Sequence, residues 1–202
     1  MTDPASTDAP TRCRWATAAP EFPAYHDAEW GVPVDDDRRL FEKLSLEAFQ
    51  SGLSWRTILV KRPAFRRAFD DFEIARVAEF GTADVERLLG DAGIVRHRGK
   101  IEAVVNNAQR ALELIEREGS IAAFAWSYEP DPASLPVPQS RSTCPESVAL
   151  ARELRRRGWK FVGPTTVFAF MQACGIVNDH AADCFVRPQV DAARRAFRRP
   201  AR

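Results

Sequence analysis

The sequence predicts an all-α protein. Apolar residues recur at helical spacing through most of the chain, and strand-like alternation is scarce. Proline and glycine fall between the periodic stretches, where they start and stop helices. Eight to ten helices are expected. Residues 1–11 (MTDPASTDAPT) read as a flexible tail. Leu40, Phe41, Leu44 and Ala48 mark one helix face, and Val85, Leu88 and Leu89 mark a shorter one. Ile101, Val104, Val105, Ala108, Leu112 and Ile115 form the clearest amphipathic stripe, ended by Gly119. From Ser127 to Ser147 five prolines predict a long surface loop. Val148, Ala151 and Leu154 mark the next helix, with Pro145 near its start. Pro164 after Gly163 opens another, which runs to Cys174 and stops at Gly175. Residues 187–202 are arginine-rich and read as a basic tail, a short helix with a frayed end. One domain over 12–186 is expected between the two tails.

Composition narrows the functional classes. The chain has 202 residues, 45% hydrophobic and 28% charged, the balance of an ordinary globular protein. That excludes a mainly disordered chain, a collagen and a coiled-coil rod. No apolar run approaches the roughly 18–20 residues of a membrane helix. Residues 1–12 lack the apolar core of a secretory signal, so the cytoplasm is the expected location. The net charge is 29 − 28 = +1, so the chain is not a strongly basic nucleic-acid binder as a whole. A local basic face stays open. Four cysteines in a cytoplasmic protein suggest metal or free thiols before disulfides.

Three constellations could carry chemistry. His180 and Cys184 are four residues apart and would share a face if helical, and Cys13 and His26 lie near the other end. Two Cys and two His suit zinc in a closed structural site. The bland alternative is a buried thiol and two hydrogen-bonded histidines. The second is an aromatic group, Trp15, Phe22, Tyr25, Trp30 and Trp55, with Glu47 three residues after Leu44. Aromatic faces favour a planar cation, and a carboxylate accepts from an amine. The alternative is a core of large side chains with Glu47 outside it. The third is a pair of turns. Arg96, His97, Arg98 and Lys100 follow Gly93, and Gly163, Thr165 and Thr166 stand where a helix begins. Glycines and cations suit a phosphate, and a helix N-terminus offers free N–H groups.

Several motifs occur in order: Tyr25-His26-Asp27-Ala28-Glu29-Trp30-Gly31, Gly52-Leu53-Ser54-Trp55, Arg96-His97-Arg98-Gly99-Lys100-Ile101, Phe161-Val162-Gly163-Pro164-Thr165-Thr166, Phe170-Met171-Gln172-Ala173-Cys174-Gly175 and Val177-Asn178-Asp179-His180. Together they resemble the DNA-3-methyladenine glycosylase I family over about Cys13 to Cys184. The resemblance implies a compact helix-hairpin-helix glycosylase fold. It implies a structural Zn2+ on Cys13, His26, His180 and Cys184 that joins the N- and C-terminal segments. It implies that Glu47 is the catalytic-site carboxylate that reads the base, with Trp55, Tyr25, Trp15 and Phe22 framing it. Gly52 and Leu53 would fill the gap left by the flipped nucleotide. Arg96, Arg98, Lys100, Gly163, Thr165 and Thr166 would meet the DNA backbone.

The implied activity is hydrolytic removal of 3-methyladenine from alkylated double-stranded DNA by a monomer, leaving an abasic site. In the wider superfamily a catalytic aspartate commonly stands where this chain has Asn178, which implies restriction to labile alkylated bases. No lysine stands out as a Schiff-base nucleophile, so no lyase activity is expected. Two departures bear on base preference. Phe22 stands where family members often carry tyrosine, and Phe49 follows Glu47 where small residues are usual. The competing readings are a noncatalytic zinc-stabilised DNA-binding module, a glycosylase with a shifted alkyl-base preference, and a zinc hydrolase with an open metal site.

Overall fold

The computed structural model describes residues 10–201, and these contain ten α-helices, three short 3-10 turns and no strand. Residues 1–9, most of the expected tail, lie outside the described residues. The helices are α1 (Phe22–Ala28), α2 (Asp37–Gln50), α3 (Trp55–Ala68), α4 (Ile74–Ala78), α5 (Thr82–Gly90), α6 (Arg98–Glu118), α7 (Ile121–Trp126), α8 (Pro145–Arg156), α9 (Pro164–Ala173) and α10 (Arg187–Ala196).

Local chemistry fixes most boundaries. Asp36 caps α2 by accepting from the Arg39 N–H at 2.8 Å, and Ser54 caps α3 by accepting from the Thr57 N–H. Gly119 closes α6, the expected stop, and α8 and α9 each carry proline in the first turn. The loop before α8 holds a short 3-10 turn at Pro132–Ser134.

The helix α2 is the axis of the molecule. From Leu40 to Phe49 every residue is buried, so this helix has no solvent face. Its apolar residues enter a core with Phe65, Phe69 and Phe72 and with Phe170 of α9. Phe49 stacks there, with its ring 4.6 Å from that of Phe65, so it faces the core and does not narrow a pocket. A second, smaller cluster gathers Cys13, Phe22, Tyr25 and Trp30 with Cys184 and Val190, and Trp55 touches both clusters. The segments around Cys13 and Cys184 therefore meet beside the axial helix.

Three expectations need correction. His180 and Cys184 lie in the irregular segment between α9 and α10, not on a helix. That segment is shaped by side chains: Asn178 accepts from the His180 N–H, and the Arg187 guanidinium donates to the His180 carbonyl. Val148 is 44% exposed, because the buried face of α8 runs through Ser147, Leu150, Ala151 and Leu154; Leu112 likewise lies outside the buried face of α6. The packed body continues past residue 186. In α10 Val190 is buried, and Arg194 donates to Glu129 at 2.7 Å and to the Gly175 carbonyl.

Because Phe49 has no exposed surface, Phe49→Ala should lower unfolding free energy by about 3–5 kcal/mol. Urea unfolding measures it; a loss under about 1 kcal/mol would remove Phe49 from the core.

Candidate active site and Cys/His cluster

A cavity of about 640 Å³ opens where the smaller cluster meets α2 and α9. Trp15, Phe22, Tyr25, Trp30 and Trp55 all line it, so the expected aromatic group is brought together. The ring of Trp15 lies 5.7 Å from Phe22, 6.3 Å from Tyr25 and 5.0 Å from Trp30, mostly edge to face, and Tyr25 lies 5.3 Å from Trp55. Glu47 reaches the cavity from α2. Its side chain is buried, and its carboxyl has no hydrogen-bond partner among the described residues. Burial pushes it up to about 8, against the opposing pull of Lys43. The indole N–H of Trp55 is also buried without an acceptor. An unpaired acid thus faces an aromatic-walled space. Such groups are costly unless a ligand pairs them.

Behind this wall lies a second cavity of about 540 Å³, which shares Tyr25, Glu47 and Trp55 with the first. It is charged, and Glu29, Lys43, Arg62, Glu42 and Arg66 are paired there. Glu29 accepts from Lys43 at 2.8 Å and from Arg62 at 2.8 Å, and Glu42 accepts from Arg66 at 2.8 Å. Burial would raise Glu29, but Lys43 and Arg62 outweigh it and hold it at about 2. The two cations each sit 5.8 Å from the Tyr25 ring centre, fixing that ring from behind.

The Cys13 and Cys184 sulfurs and a ring nitrogen of His26 lie within 4.8 Å of one another. Cys184 Sγ is 3.6 Å from His26 Nε2. His180 is beside them, its ring centre 4.9 Å from that of His26, and its buried Nε2 has no partner. Hydrogen bonds fix both tautomers. His26 Nδ1 donates to Asp27 Oδ1 at 2.7 Å, which turns Nε2 toward the two sulfurs. Arg12 in turn holds Asp27, at 2.7 Å. Asn178 directs its amide nitrogen to Asp191 and the Arg187 carbonyl, so its oxygen faces His180 Nδ1 at 3.1 Å. His180 therefore also donates from Nδ1 and leaves Nε2 bare. Cys13, His26 and Cys184 are a donor group of the kind that fits a borderline-soft divalent metal, and the bare His180 Nε2 lies beside that group and outside its 4.8 Å limit. Gly31 is part of this design: at φ +83° it lies so close that a Cβ there would come within 2.8 Å of His180 Cε1.

The candidate phosphate residues divide. Arg96 and Arg98 are exposed, and Arg98 pairs with Glu86 at 2.7 Å. Lys100 departs from expectation. It is 7% exposed and turned inward, donating to the Phe49 carbonyl at 2.9 Å and the Ser51 carbonyl at 2.5 Å. The first turn of α6 faces the end of α2, where carbonyls lack intrahelical partners, and the ammonium fills that need. The turn it supports holds Gly52 at φ +78° and leaves Leu53 42% exposed. Gly163 caps α9 without a side chain, so the N–H groups of Thr165 and Thr166 point out of the helix start, and Thr165 lines the cavity.

Some participants were not singled out from sequence. Gln172 and Asp179 line the cavity and are paired at 2.6 Å. Both lie inside the quoted motifs, which was the available signal. Asn106 and Asn107 pin the 158–163 turn to α6, with Asn106 donating to the Gly158 carbonyl and Asn107 to the Lys160 carbonyl, each at 2.9 Å. This brings the two turns side by side, with the His97 and Phe161 rings 6.3 Å apart. Two adjacent asparagines on a helix gave no sequence signal.

The helical body thus carries an aromatic-walled cavity with a buried, unpaired acid at its wall, a shape and chemistry suited to a planar polar or cationic group. The family profile described as methyladenine glycosylase matches residues 15–187. The chain belongs to that family. It is 44% identical over 181 residues to DNA-3-methyladenine glycosylase 1 of Escherichia coli (strain K12), covering 88% of this chain and 97% of the relative. It is 40% identical over 178 residues to DNA-3-methyladenine glycosylase of Haemophilus influenzae, covering 86% and 96%. A solved tyrosine-to-phenylalanine variant of 3-methyladenine DNA glycosylase I, in complex with 3-methyladenine, superposes with a TM-score of 0.80 at 38% identity, covering 88% of this chain and 97% of that one.

The burial of Glu47 makes a pH prediction. Its folded pKa, about 8, lies above the ordinary 4.5, so the folded state holds a proton that the unfolded state releases. Stability should fall as pH rises from about 4.5 to about 8 and then level off. At about 1.4 kcal/mol per pKa unit, Glu47→Gln should remove a penalty of a few kcal/mol at pH 8 and almost none at pH 4. Urea unfolding across pH tests this; a mutant-to-wild-type gap independent of pH would mean that Glu47 is not buried as an acid.

Proposed function

We propose that the protein is a monofunctional DNA glycosylase that hydrolyses 3-methyladenine from alkylated duplex DNA in base excision repair. The observation that carries this is Glu47, an unpaired buried carboxyl in a five-aromatic cavity, within a chain of this family. Methylation at N3 gives adenine a positive charge. The rings of Tyr25, Trp55, Trp15 and Phe22 favour that cation over neutral adenine, and Glu47 accepts from its amine edge. Binding the cation lowers the cost of ionising Glu47, so the acid and the lesion select each other.

Catalysis is then differential binding. The C1′–N9 bond breaks with its electron pair going to the base, which neutralises the ring. Water adds to C1′ and releases a proton, leaving an abasic site. Asn178 is occupied with His180 and Asp191 and offers no carboxylate, in keeping with a substrate that is already a good leaving group.

DNA meets the mouth of this cavity. Gly52 and Leu53 fill the gap in the duplex, Arg96 and Arg98 meet phosphates, and the α9 start at Gly163, Thr165 and Thr166 binds another phosphate in a helix-hairpin-helix arrangement with α8. The reading also carries a monomer as the acting unit, in the cytoplasm. Among the described residues no helix is long and apolar enough to cross a membrane.

Cys13, His26, His180 and Cys184 would hold a structural Zn2+. Four protein donors would leave no open position for water, so the metal would cross-link the segments around Cys13 and Cys184 and would supply no catalytic chemistry.

Release of 3-methyladenine from methylated duplex DNA tests the activity, with 7-methylguanine as the comparison base. Wild type should release 3-methyladenine selectively, and Glu47→Ala should lose at least tenfold, at ~1.4 kcal/mol per decade, while duplex affinity holds. Unchanged release by the mutant would overturn the assignment of Glu47. Metal analysis should find one zinc per chain, and Cys184→Ala should lose it together with thermal stability. A folded, metal-free wild type would overturn the zinc site.

A further inference from the structure

Lys100 stands in a basic turn but does not face outward. Its ammonium is the partner of the Phe49 and Ser51 carbonyls, at 2.9 and 2.5 Å. Those carbonyls end α2 two residues after Glu47 and one residue before Gly52. The four-residue link from Ser51 to Ser54 then leads directly into Trp55. Gln50, Ser54 and Trp55 line the base cavity, while Leu53 between them projects into solvent. Gly52 at φ +78° has open space around it, so the tip is shaped by backbone conformation and not by packing. Among the described residues the Lys100 side chain is the group from outside the turn that ties its carbonyls down.

From this placement we infer that Lys100 is a positioning residue for base flipping, which presets the Gly52–Leu53 tip so that Leu53 enters the duplex as the damaged nucleotide leaves. This deepens the glycosylase reading and rests on it. The argument is one of preorganisation. A flexible tip would have to be ordered at the moment of insertion, and that entropy would be lost from the flipping step. A cation at the helix end fixes the tip beforehand, helped by the helix dipole. Lys100 also lies two residues after Arg98, on the first turn of α6. A phosphate gripped by the exposed arginines is thereby linked through one side chain to the element that replaces the base. Lys100 itself touches neither phosphate nor base.

The test compares Lys100→Met with wild type in four assays. Affinity for free 3-methyladenine should stay within about twofold, because the pocket is built by other residues. The salt dependence of duplex binding should be unchanged, because no phosphate contact is lost. Single-turnover release from methylated duplex DNA should fall about tenfold or more, the scale of one charge-assisted hydrogen bond, and release from methylated single strands should fall less. Combined with Leu53→Ala, Lys100→Met should add almost nothing to the duplex defect, since both act through one tip.

A salt slope reduced by about one would make Lys100 a phosphate contact and overturn the inference. Equal losses on duplex and single strand, or additive effects with Leu53→Ala, would overturn it too. Should Lys100→Met not fold, Lys100→Gln keeps one amide donor and is scored by the same duplex-to-single-strand ratio. A wild type that releases no 3-methyladenine would overturn the glycosylase reading itself, an outcome distinct from any of these.

Discussion

A helix buried on every side must do something with its polar residues, and α2 solves that problem differently at each one. Lys43 and Glu42 find partners of opposite charge on α1's flank and on α3. Glu47, one turn beyond Lys43, finds none. The rest of the site depends on that difference. The paired residues make the wall behind Tyr25 rigid, and the unpaired one leaves an acid stored in neutral form at the cavity. A protein holding such a group gives up stability at its pocket and recovers it on binding a cation. That is the stability and function trade-off expected where a site is preformed.

The second organising fact is that the cavity belongs to two packing units at once. Its floor comes from α2, α3 and α9, which share the large phenylalanine core. Its aromatic walls come from the N-terminal segment, which packs in the smaller cluster with Cys184 and Val190. Trp30 joins the two concerns: it lines the cavity, and its ring lies 4.6 Å from that of His180. Trp15 does the same from the other histidine, its ring 5.3 Å from that of His26, so the Cys/His cluster borders the pocket through two aromatic side chains.

Legibility followed the range of the interactions. The stripe from Ile101 to Ile115 and its stop at Gly119 are local, and spacing suffices to place them. The convergence of Trp15, Phe22, Tyr25, Trp30 and Trp55 with Glu47 is not local, yet composition and the ordered motifs marked it. What spacing could not carry was direction. Lys100 sits among cations in sequence but points to the end of another helix, 49 residues back at Ser51. The four-residue interval from His180 to Cys184 suggested a helix, whereas Asn178 and Arg187 hold an irregular segment there. The pinning of the 158–163 turn by Asn106 and Asn107 spans more than fifty residues and leaves no periodic trace.

The meeting of the two chain ends has a consequence for when the pocket comes into being. Cys13 accepts from the Ala181 N–H at 3.3 Å, and Thr11 accepts from the Phe185 N–H at 2.9 Å. The segment bearing Trp15, Phe22 and Tyr25 is thus anchored by residues made 168 or more positions later. A nascent chain can assemble the phenylalanine core around α2 while its aromatic walls still lack their anchor. Until the chain has been made past residue 185, the two hydrogen bonds that hold those walls lack one of their donors.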